Sequence, residues 1–191
     1  MVVYPKTNEV FVADGDGNRR RIVFDADTGA YKRHWGAYGN KPGDSVPADP
    51  HLRRSWPQQF NTVHGIRISH DKLVHVGGRV NNRIQVFHPD GAFVKEVYVE
   101  RKTSGTDGAA FDIAFSPDKL QQFFYVPDGT NKKVQIRNRE TLEVVGFFGG
   151  GHGAAEFYHI HSIASDSKSN IYLDESFGQR ALKWAYQGGL R

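Results

Sequence analysis

The segment HGIRISHDKLVHVGGRVNNRIQVF, which runs from His64 to Phe87, decides the fold. Apolar and polar residues alternate in HGIRIS, in LVHV and in RIQVF, and the polar turn GGRVNN separates the second stretch from the third. Alternation with a period of two, interrupted by turn residues, is typical of half-buried β-strands. A fourth alternating stretch, FVKEVYV, follows the PDG turn at Pro89–Gly91. The segment therefore predicts a unit of four antiparallel strands.

Relatives of this unit occur at three other places in the chain. NRRRIVFDADTG, NKKVQIRNRETLE and GQRALKWAYQGG match NNRIQVFHPDG when Phe24, Arg137 and Trp184 are aligned with Phe87, and the four positions are then 63, 50 and 47 residues apart. Repeats of about 40 to 50 residues with several short strands are typical of propeller blades. We expect an all-β fold, a partial β-propeller of about four blades of four antiparallel strands, truncated at both ends. Blades are expected at 1–36, 61–100, 109–149 and 157–191 of a single domain, 1–191, with a long loop at 37–60.

Composition narrows the class of protein without assigning a compartment. The 191 residues are 38% hydrophobic and 13% aromatic, which fits a globular domain. No apolar run approaches the roughly 18 residues that a membrane span needs, and MVVYPKTNEV does not resemble a signal peptide. The sequence contains no cysteine, so disulfides and thiolate metal sites are excluded. The net charge of +4 is mild and does not by itself predict a polyanionic partner.

The repeats resemble those of NHL-repeat β-propellers, and VFVADGDGNRRRIVF, VNNRIQVF and NIYLDESFGQRALKW carry the pattern. The resemblance covers nearly all of the chain apart from the proline-rich loop. Within that family the order of motifs is similar to that of the amidating lyases, which cleave peptidyl-α-hydroxyglycine. This narrower likeness rests on three motifs: DGDGNRR at Asp14–Arg20, VHGIRIS at Val63–Ser69 and IHSIAS at Ile160–Ser165.

The resemblance implies a metal site at the mouth of the central channel. When Ile66 is aligned with Ile163, His64 is aligned with His161, and in the lyases three histidines at such positions hold a catalytic zinc. The third repeat has Phe111 at this position, so we consider two substitutes for the missing ligand, His159 and His152. In the alternative interpretation, each histidine only caps the channel by bonding a backbone carbonyl or water.

Acidic and basic residues also recur at fixed positions of the repeats. A carboxylate at the end of the second strand is typical of an Asx-turn, and the alternative is a calcium or acid–base site. A recurring cation is expected to pack between blades and to pair with a turn carboxylate. The carboxylates are Asp14, Asp128 and Asp174, and the cations are Arg20, Arg83, Lys133 and Arg180.

Candidate substrate contacts come from these positions and from the histidine-bearing segments. We take Arg20 and Arg83 as candidates for binding a substrate anion, and Tyr158 and Trp56 as candidates for lining a pocket. The resulting candidate catalytic residues are Arg20, Arg83 and Tyr158, with His64, His161 and His159 as metal ligands. The 37–60 loop is expected to lie on the channel-mouth face.

The leading functional hypothesis is a lyase-like or small-ligand-binding propeller with zinc, or another divalent metal, at the channel mouth. The competing hypothesis is a non-catalytic scaffold that binds a protein, a peptide or RNA on its loop face. RNA is disfavoured because the basic residues Arg19–Arg21, Arg53 and Arg54 are not interleaved with aromatic residues. Open blade faces are expected to favour self-association, and no membrane contact is expected.

Overall fold

A computed structural model describes residues 1–43, 58–103, 107–150 and 157–188. These residues form four antiparallel sheets and one short 3-10 helix, Ala37–Gly39, and none of their helices could cross a membrane. Blade 1 contains β1 (Val2–Tyr4), β2 (Glu9–Asp14), β3 (Arg20–Asp25) and β4 (Tyr31–Trp35). Blade 2 contains β5 (Val63–Ile68), β6 (Val74–Gly78), β7 (Arg83–Phe87) and β8 (Phe93–Tyr98). Blade 3 contains β9 (Ala114–Phe115), β10 (Phe123–Asp128), β11 (Lys133–Asn138) and β12 (Val144–Gly149). Blade 4 contains β13 (Ile160–Ser165), β14 (Ile171–Glu175) and β15 (Arg180–Trp184).

Each sheet is a meander in which consecutive strands are neighbours. The first strand of each blade lies innermost, and β1, β5, β9 and β13 are these inner strands. Blades 1 to 3 have four strands, whereas blade 4 has three among the residues that the structure describes. The predicted all-β architecture of four blades is therefore confirmed.

The hydrophobic core lies between the blades and consists of three clusters. The first, between blades 1 and 2, includes Phe11 and Val76. The second, between blades 2 and 3, includes Ile84 and Phe124. The third, between blades 3 and 4, includes Leu173. The side chains of a strand point alternately to the two faces of its sheet. A blade can therefore bury its apolar side chains only against a neighbouring blade.

The described ends of the 37–60 loop pack against blade 2. Tyr38 packs edge-on against Phe93 with ring centroids 5.1 Å apart, and its hydroxyl donates to the Glu96 carboxylate at 3.0 Å. The fully buried Phe60 packs beneath Gly78, which pairs with Val63 at the start of β5. The end of the loop that leads into β5 therefore lies next to the start of the histidine-bearing strand, and the position of the whole 37–60 loop on the channel-mouth face stays a prediction. Residues 44–57 lie outside the described residues.

His75 is an ionisable residue inside the second core cluster. Its ring is fully buried against Phe115 and Phe124, with centroid distances of 5.0 and 6.1 Å. Nδ1 contacts the Leu73 carbonyl oxygen at 3.3 Å, and Nε2 has no hydrogen-bond partner among the described residues. Burial lowers the pKa of His75 to about 4, because a charged imidazolium would lose its hydration there.

We predict that His75 makes the fold sensitive to acid. Its pKa is lower in the folded state than the usual value of about 6.5, so the unfolded chain binds the proton more tightly. The free energy of unfolding should therefore fall by about 3 kcal/mol from this group as the pH drops from 6.5 to 4. Urea unfolding at several pH values should show a shallower decline for His75→Leu than for the unchanged protein, while the exposed-site control His88→Gln should follow the unchanged protein. Equal slopes for His75→Leu and the unchanged protein would contradict the assignment.

Candidate metal site at the channel mouth

His64 and His161 meet across the central channel. They belong to β5 of blade 2 and β13 of blade 4, the inner strands on either side of blade 3. Their Nε2 atoms are 3.2 Å apart, and their rings are nearly perpendicular, with centroids 4.6 Å apart. The structure thus brings together the two residues that the repeat alignment equates.

A register shift in each inner strand places these two side chains. The pairing of β5 with β6 shifts between Val63 and Ile66, and the pairing of β13 with β14 shifts between Ile160 and Ser162. His64 and His161 lie within these irregular segments. A β-bulge bends its strand and redirects the side chain of the extra residue. The bulges therefore explain how two residues near the beginning of their strands can both point towards the channel axis.

A backbone contact fixes the orientation of the His64 ring. Nδ1 of His64 lies 2.6 Å from the carbonyl oxygen of Phe111. Because a carbonyl oxygen only accepts hydrogen bonds, Nδ1 carries the proton, and in the neutral ring Nε2 presents a lone pair towards His161. Burial lowers the pKa of His64, which favours this neutral form.

Phe111 separates the histidine pair from His159. Its fully buried ring lies 5.8 Å from that of His64, 5.9 Å from that of His161 and 5.0 Å from that of His159. The Arg79 guanidinium lies over the same ring at 5.2 Å. The residue that takes the histidine position in the third repeat thus fills the mouth with an apolar ring instead of a ligand.

His159 does not join the pair in this structure. Its backbone has a left-handed conformation, with φ of 62°, so it does not share the regular pleat that would place it on the same face as His161. Its ring stacks on Phe177, with centroids 4.5 Å apart, and Nδ1 lies 2.9 Å from the hydroxyl oxygen of Ser176. Among the described residues no group of three or more metal-ligating side chains is present. The other predicted substitute, His152, lies outside the described residues.

Asp112 is a buried acidic residue of the channel that the sequence analysis did not identify. One carboxylate oxygen, Oδ2, accepts bonds from Arg67 at 2.9 Å and from the backbone N–H of Ile163 at 3.3 Å. Oδ1 is buried and has no hydrogen-bond partner among the described residues. Burial raises the pKa of Asp112, while the Arg67 cation opposes that rise. Asp112 therefore links the inner strands of blades 2 and 4.

The recurring carboxylates form pairs with turn residues and cations. Asp14 binds Arg20 at 2.7 Å, and Asp128 accepts two bonds from the Asn131 side chain, of 2.8 and 2.9 Å. In blade 4 the register places Glu175, not Asp174, opposite Arg180, and the two bond at 2.6 Å. The equivalence of Asp174 was therefore wrong by one residue. A calcium or acid–base role for these positions stays a prediction.

The candidate catalytic residues lie in different surroundings. Arg20 is partly exposed and paired with Asp14, whereas Arg83 is fully buried and donates to the Tyr38 hydroxyl at 2.8 Å and to the Gln59 carbonyl at 3.1 Å. Both open the third strand of a blade, as do Lys133 and Arg180. The side chain of Arg83 therefore anchors both described ends of the 37–60 loop.

Tyr158 is 47% exposed, and its ring lies 5.5 Å from the Arg180 guanidinium. Its backbone N–H donates to the Glu175 carboxylate at 2.8 Å. Tyr158 is thus a half-exposed residue next to the β13 strand that carries His161. The other aromatic candidate, Trp56, lies outside the described residues. Catalytic roles for Arg20, Arg83 and Tyr158 stay predictions.

The fold and the channel-facing strands define a β-propeller. No protein-family model matches the chain. Peptidylglycine alpha-amidating monooxygenase of Rattus norvegicus and the same enzyme of Mus musculus are each 26% identical to it over 188 residues, a match that covers 96% of this chain and 18% of theirs. Among solved structures, hydrazine synthase of Kuenenia stuttgartiensis is similar with a TM-score of 0.62 and 12% identity, over 91% of this chain and 41% of that one. This structural likeness shows the fold alone, and the sequence match is a weak similarity to an amidating enzyme.

The surroundings of Arg83 and Arg20 predict that substituting Arg83 lowers the free energy of unfolding much more than substituting Arg20 does. Arg83→Met leaves the Glu96 carboxylate, 3.8 Å away, and the Gln59 carbonyl without a cationic partner, so the free energy of unfolding should fall by about 3 kcal/mol. Arg20→Met removes only a partly exposed pair and should cost less than about 1 kcal/mol. Urea unfolding of the two variants measures both values. A larger loss for Arg20→Met than for Arg83→Met would contradict the structural role assigned to Arg83.

Proposed function

We propose that this protein is a lyase-like or small-ligand-binding β-propeller in which His64 and His161 hold a divalent metal ion, with zinc as the first candidate. The 3.2 Å separation of their Nε2 atoms carries the proposal. Two nitrogens that share a tetrahedral zinc at about 2.0–2.1 Å lie about 3.3 Å apart. The pair therefore fits two neighbouring positions around one ion.

The bond between His64 Nδ1 and the Phe111 carbonyl supports the same proposal. Histidines that bind metals usually donate their second ring N–H to a carbonyl or carboxylate, which fixes the ring and the tautomer. His64 has this arrangement at 2.6 Å. A bound zinc would polarise a substrate oxygen or lower the pKa of a bound water.

The substrate class follows from the location of the pair and from the similarity to the amidating enzymes. A peptide, or a small molecule of similar polarity, would enter at the channel mouth, where Tyr158 is 47% exposed. Peptides that end in a glycine-derived group are the first substrates to test, because the relative is named for amidating peptidylglycine. Catalysis needs a third protein ligand as a rule, and His159 and His152 remain the candidates within this sequence.

A non-catalytic scaffold is the second candidate function. Its support is that the third repeat contributes Phe111 and that the described residues contain no group of three ligands. Two neutral imidazoles 3.2 Å apart can instead share one N–H···N bond, with His161 as donor and His64 as acceptor. In that case the pair closes the channel mouth, and a protein or peptide would bind on the loop face.

Metal binding separates the two functions. We expect the purified protein to bind zinc with a stoichiometry of one, and His64→Ala or His161→Ala to abolish this binding, because one remaining imidazole is too few ligands. Calorimetric titration with zinc measures both. His34→Ala is the matched control, because His34 lies on the outer strand β4 and bonds Tyr31 at 2.8 Å.

His159→Ala tests the third-ligand assignment in the same titration. Loss of binding would place His159 in the site, and unchanged binding would remove it. If His161→Ala and His34→Ala retain equal amounts of zinc, the channel-mouth site does not exist and the scaffold function takes its place.

Self-association is a further part of the proposal and rests on the apolar outer face of blade 1. On this face Val10 pairs with Phe24 and Val12 pairs with Ile22, and these four side chains are only half-buried. Val3, which pairs with Val10, is 56% exposed. A contiguous apolar surface of this kind favours association, and a second copy of the chain is the proposed partner.

We predict that light scattering will show a concentration-dependent increase in mass at micromolar protein. Val12→Lys should reduce the increase because it places a charge in the middle of the face, whereas Val94→Lys, at a 38% exposed position on the outer strand β8, should not. A protein that stays monomeric over the whole concentration range would exclude this face as a contact between copies.

A further inference from the structure

A cavity with a volume of about 480 Å³ lies at the opposite end of the channel from the histidine pair. Residues from blades 2, 3 and 4 line it. Among them are Arg67, His70, Phe115, Gln121, Ile163 and Ser165. This volume is within the range of about 300–1,000 Å³ that is usual for small-molecule sites.

The cavity and the histidine pair lie at opposite ends of the inner strands β5 and β13. His64 and His161 lie near the first residues of β5 and β13, whereas Arg67 and Ser165 lie near the last residues of the same strands. The apolar residues Ile66 and Ile163 lie between them along these strands and are almost completely buried. A molecule in this cavity would therefore contact a different set of side chains from a ligand of the histidine pair.

Arg67 supplies the cation of this cavity. A guanidinium has five N–H donors. One of those on Nη1 bonds the Ile66 carbonyl and one of those on Nη2 bonds Asp112, both at 2.9 Å. The other three have no hydrogen-bond partner among the described residues, and the side chain is 32% exposed. Arg67 is thus held in place by two bonds and can still offer a paired set of donors to an anion.

The wall of the cavity next to Arg67 is apolar. Pro117 and Ala164 are its exposed apolar residues, and the buried Phe115, Ile163 and Ala114 lie behind them. The Ser165 hydroxyl donates its proton to the Phe115 carbonyl at 2.6 Å, so Arg67 rather than Ser165 supplies the donors for a ligand carboxylate. A ligand that suits this wall has an apolar body beside its anionic group.

Asp166 at the rim selects the charge of the ligand. Its carboxylate accepts bonds from the Asn170 side chain at 2.8 Å and from the backbone N–H groups of Lys168 and Asn170 at 2.9 Å. These bonds hold its pKa well below the usual range, so it is negatively charged at neutral pH. Because Asp166 and the Asp112 partner of Arg67 repel every negative charge brought into the cavity, a monoanion that pairs with Arg67 suits it better than a dianion such as phosphate.

We propose that this cavity binds a small organic monocarboxylate, whose carboxylate pairs with Arg67 and whose apolar body packs on Pro117 and Ala164. The site does not depend on the metal proposed for the histidine pair. It makes the propeller a protein with two distinct ligand sites, one at each end of its channel.

Benzoate is a suitable probe, because it combines one carboxylate with an apolar ring. Calorimetric titration should show saturable binding of benzoate to the unchanged protein and binding at least tenfold weaker to Arg67→Gln. Arg101→Gln is the control, because Arg101 is an exposed arginine next to Tyr98, and it should bind benzoate as the unchanged protein does. Benzamide, which has the same shape without the charge, and inorganic phosphate should both bind at least tenfold more weakly than benzoate. Binding of benzoate should be the same with and without a metal chelator.

Arg67→Gln leaves Asp112 without its cation, and the variant could unfold for that reason. A second variant keeps the test decisive in that case. Ala164→Trp places a large side chain at an exposed position of the cavity wall and leaves the Arg67–Asp112 pair intact, so it should also weaken benzoate binding at least tenfold. The proposal is overturned if the unchanged protein does not bind benzoate, if folded Arg67→Gln or Ala164→Trp binds it as well as the unchanged protein does, or if benzamide binds equally well.

Discussion

The packing of each blade on its neighbour is the constraint on which the other features depend. No blade has a core of its own, and the three apolar clusters of the described residues coincide with the three contacts between consecutive blades. The first contact also encloses a cation: Arg21 is fully buried, bonds the Gly36 carbonyl and lies 3.9 Å from the ring centroid of Phe87. A buried guanidinium requires such compensation, so this contact depends on the position of the blade 2 aromatic ring as much as on its hydrophobicity.

Close approach of blade 3 to blade 2 sets the geometry of the histidine pair. A side chain at Gly65 would come within 2.7 Å of the Cα of Asp112, and one at Gly77 would come within 2.8 Å of the carbonyl oxygen of Ala110. Only glycine allows this contact between the two backbones. The same approach brings the Phe111 carbonyl to His64, so the glycines of blade 2 indirectly set the tautomer and direction of the histidine ring.

The sequence predicted the features that repeat and missed those that depend on contacts between repeats. Aligning Ile66 with Ile163 was sufficient to equate His64 with His161, because both lie at the same place in a repeated strand. A shift of one residue reverses the face of a strand, so the pairing of Glu175 with Arg180, which places Asp174 on the other face, could be read only from the register. The left-handed backbone of His159 departs from the regular pleat that the repeat pattern assumes, and its role as a metal ligand stays a prediction. Asp112 carried no pattern of its own, since its partners Arg67 and Ile163 belong to other blades.

Two consecutive residues before β9 connect the two ends of the channel. Phe111 binds His64 through its backbone carbonyl, and Asp112 binds Arg67 through its side chain. These contacts reach β5 from opposite sides of Ile66, so any displacement of the segment shifts both the histidine pair and the cation of the far cavity. The buried Oδ1 of Asp112 makes such a displacement costly, because the carboxylate is already only partly compensated and further loss of the Arg67 bond would leave a charge in an apolar environment. The short lead-in to β9, rather than β5 or β13, is therefore the element that holds the histidine pair and Arg67 in a fixed relation.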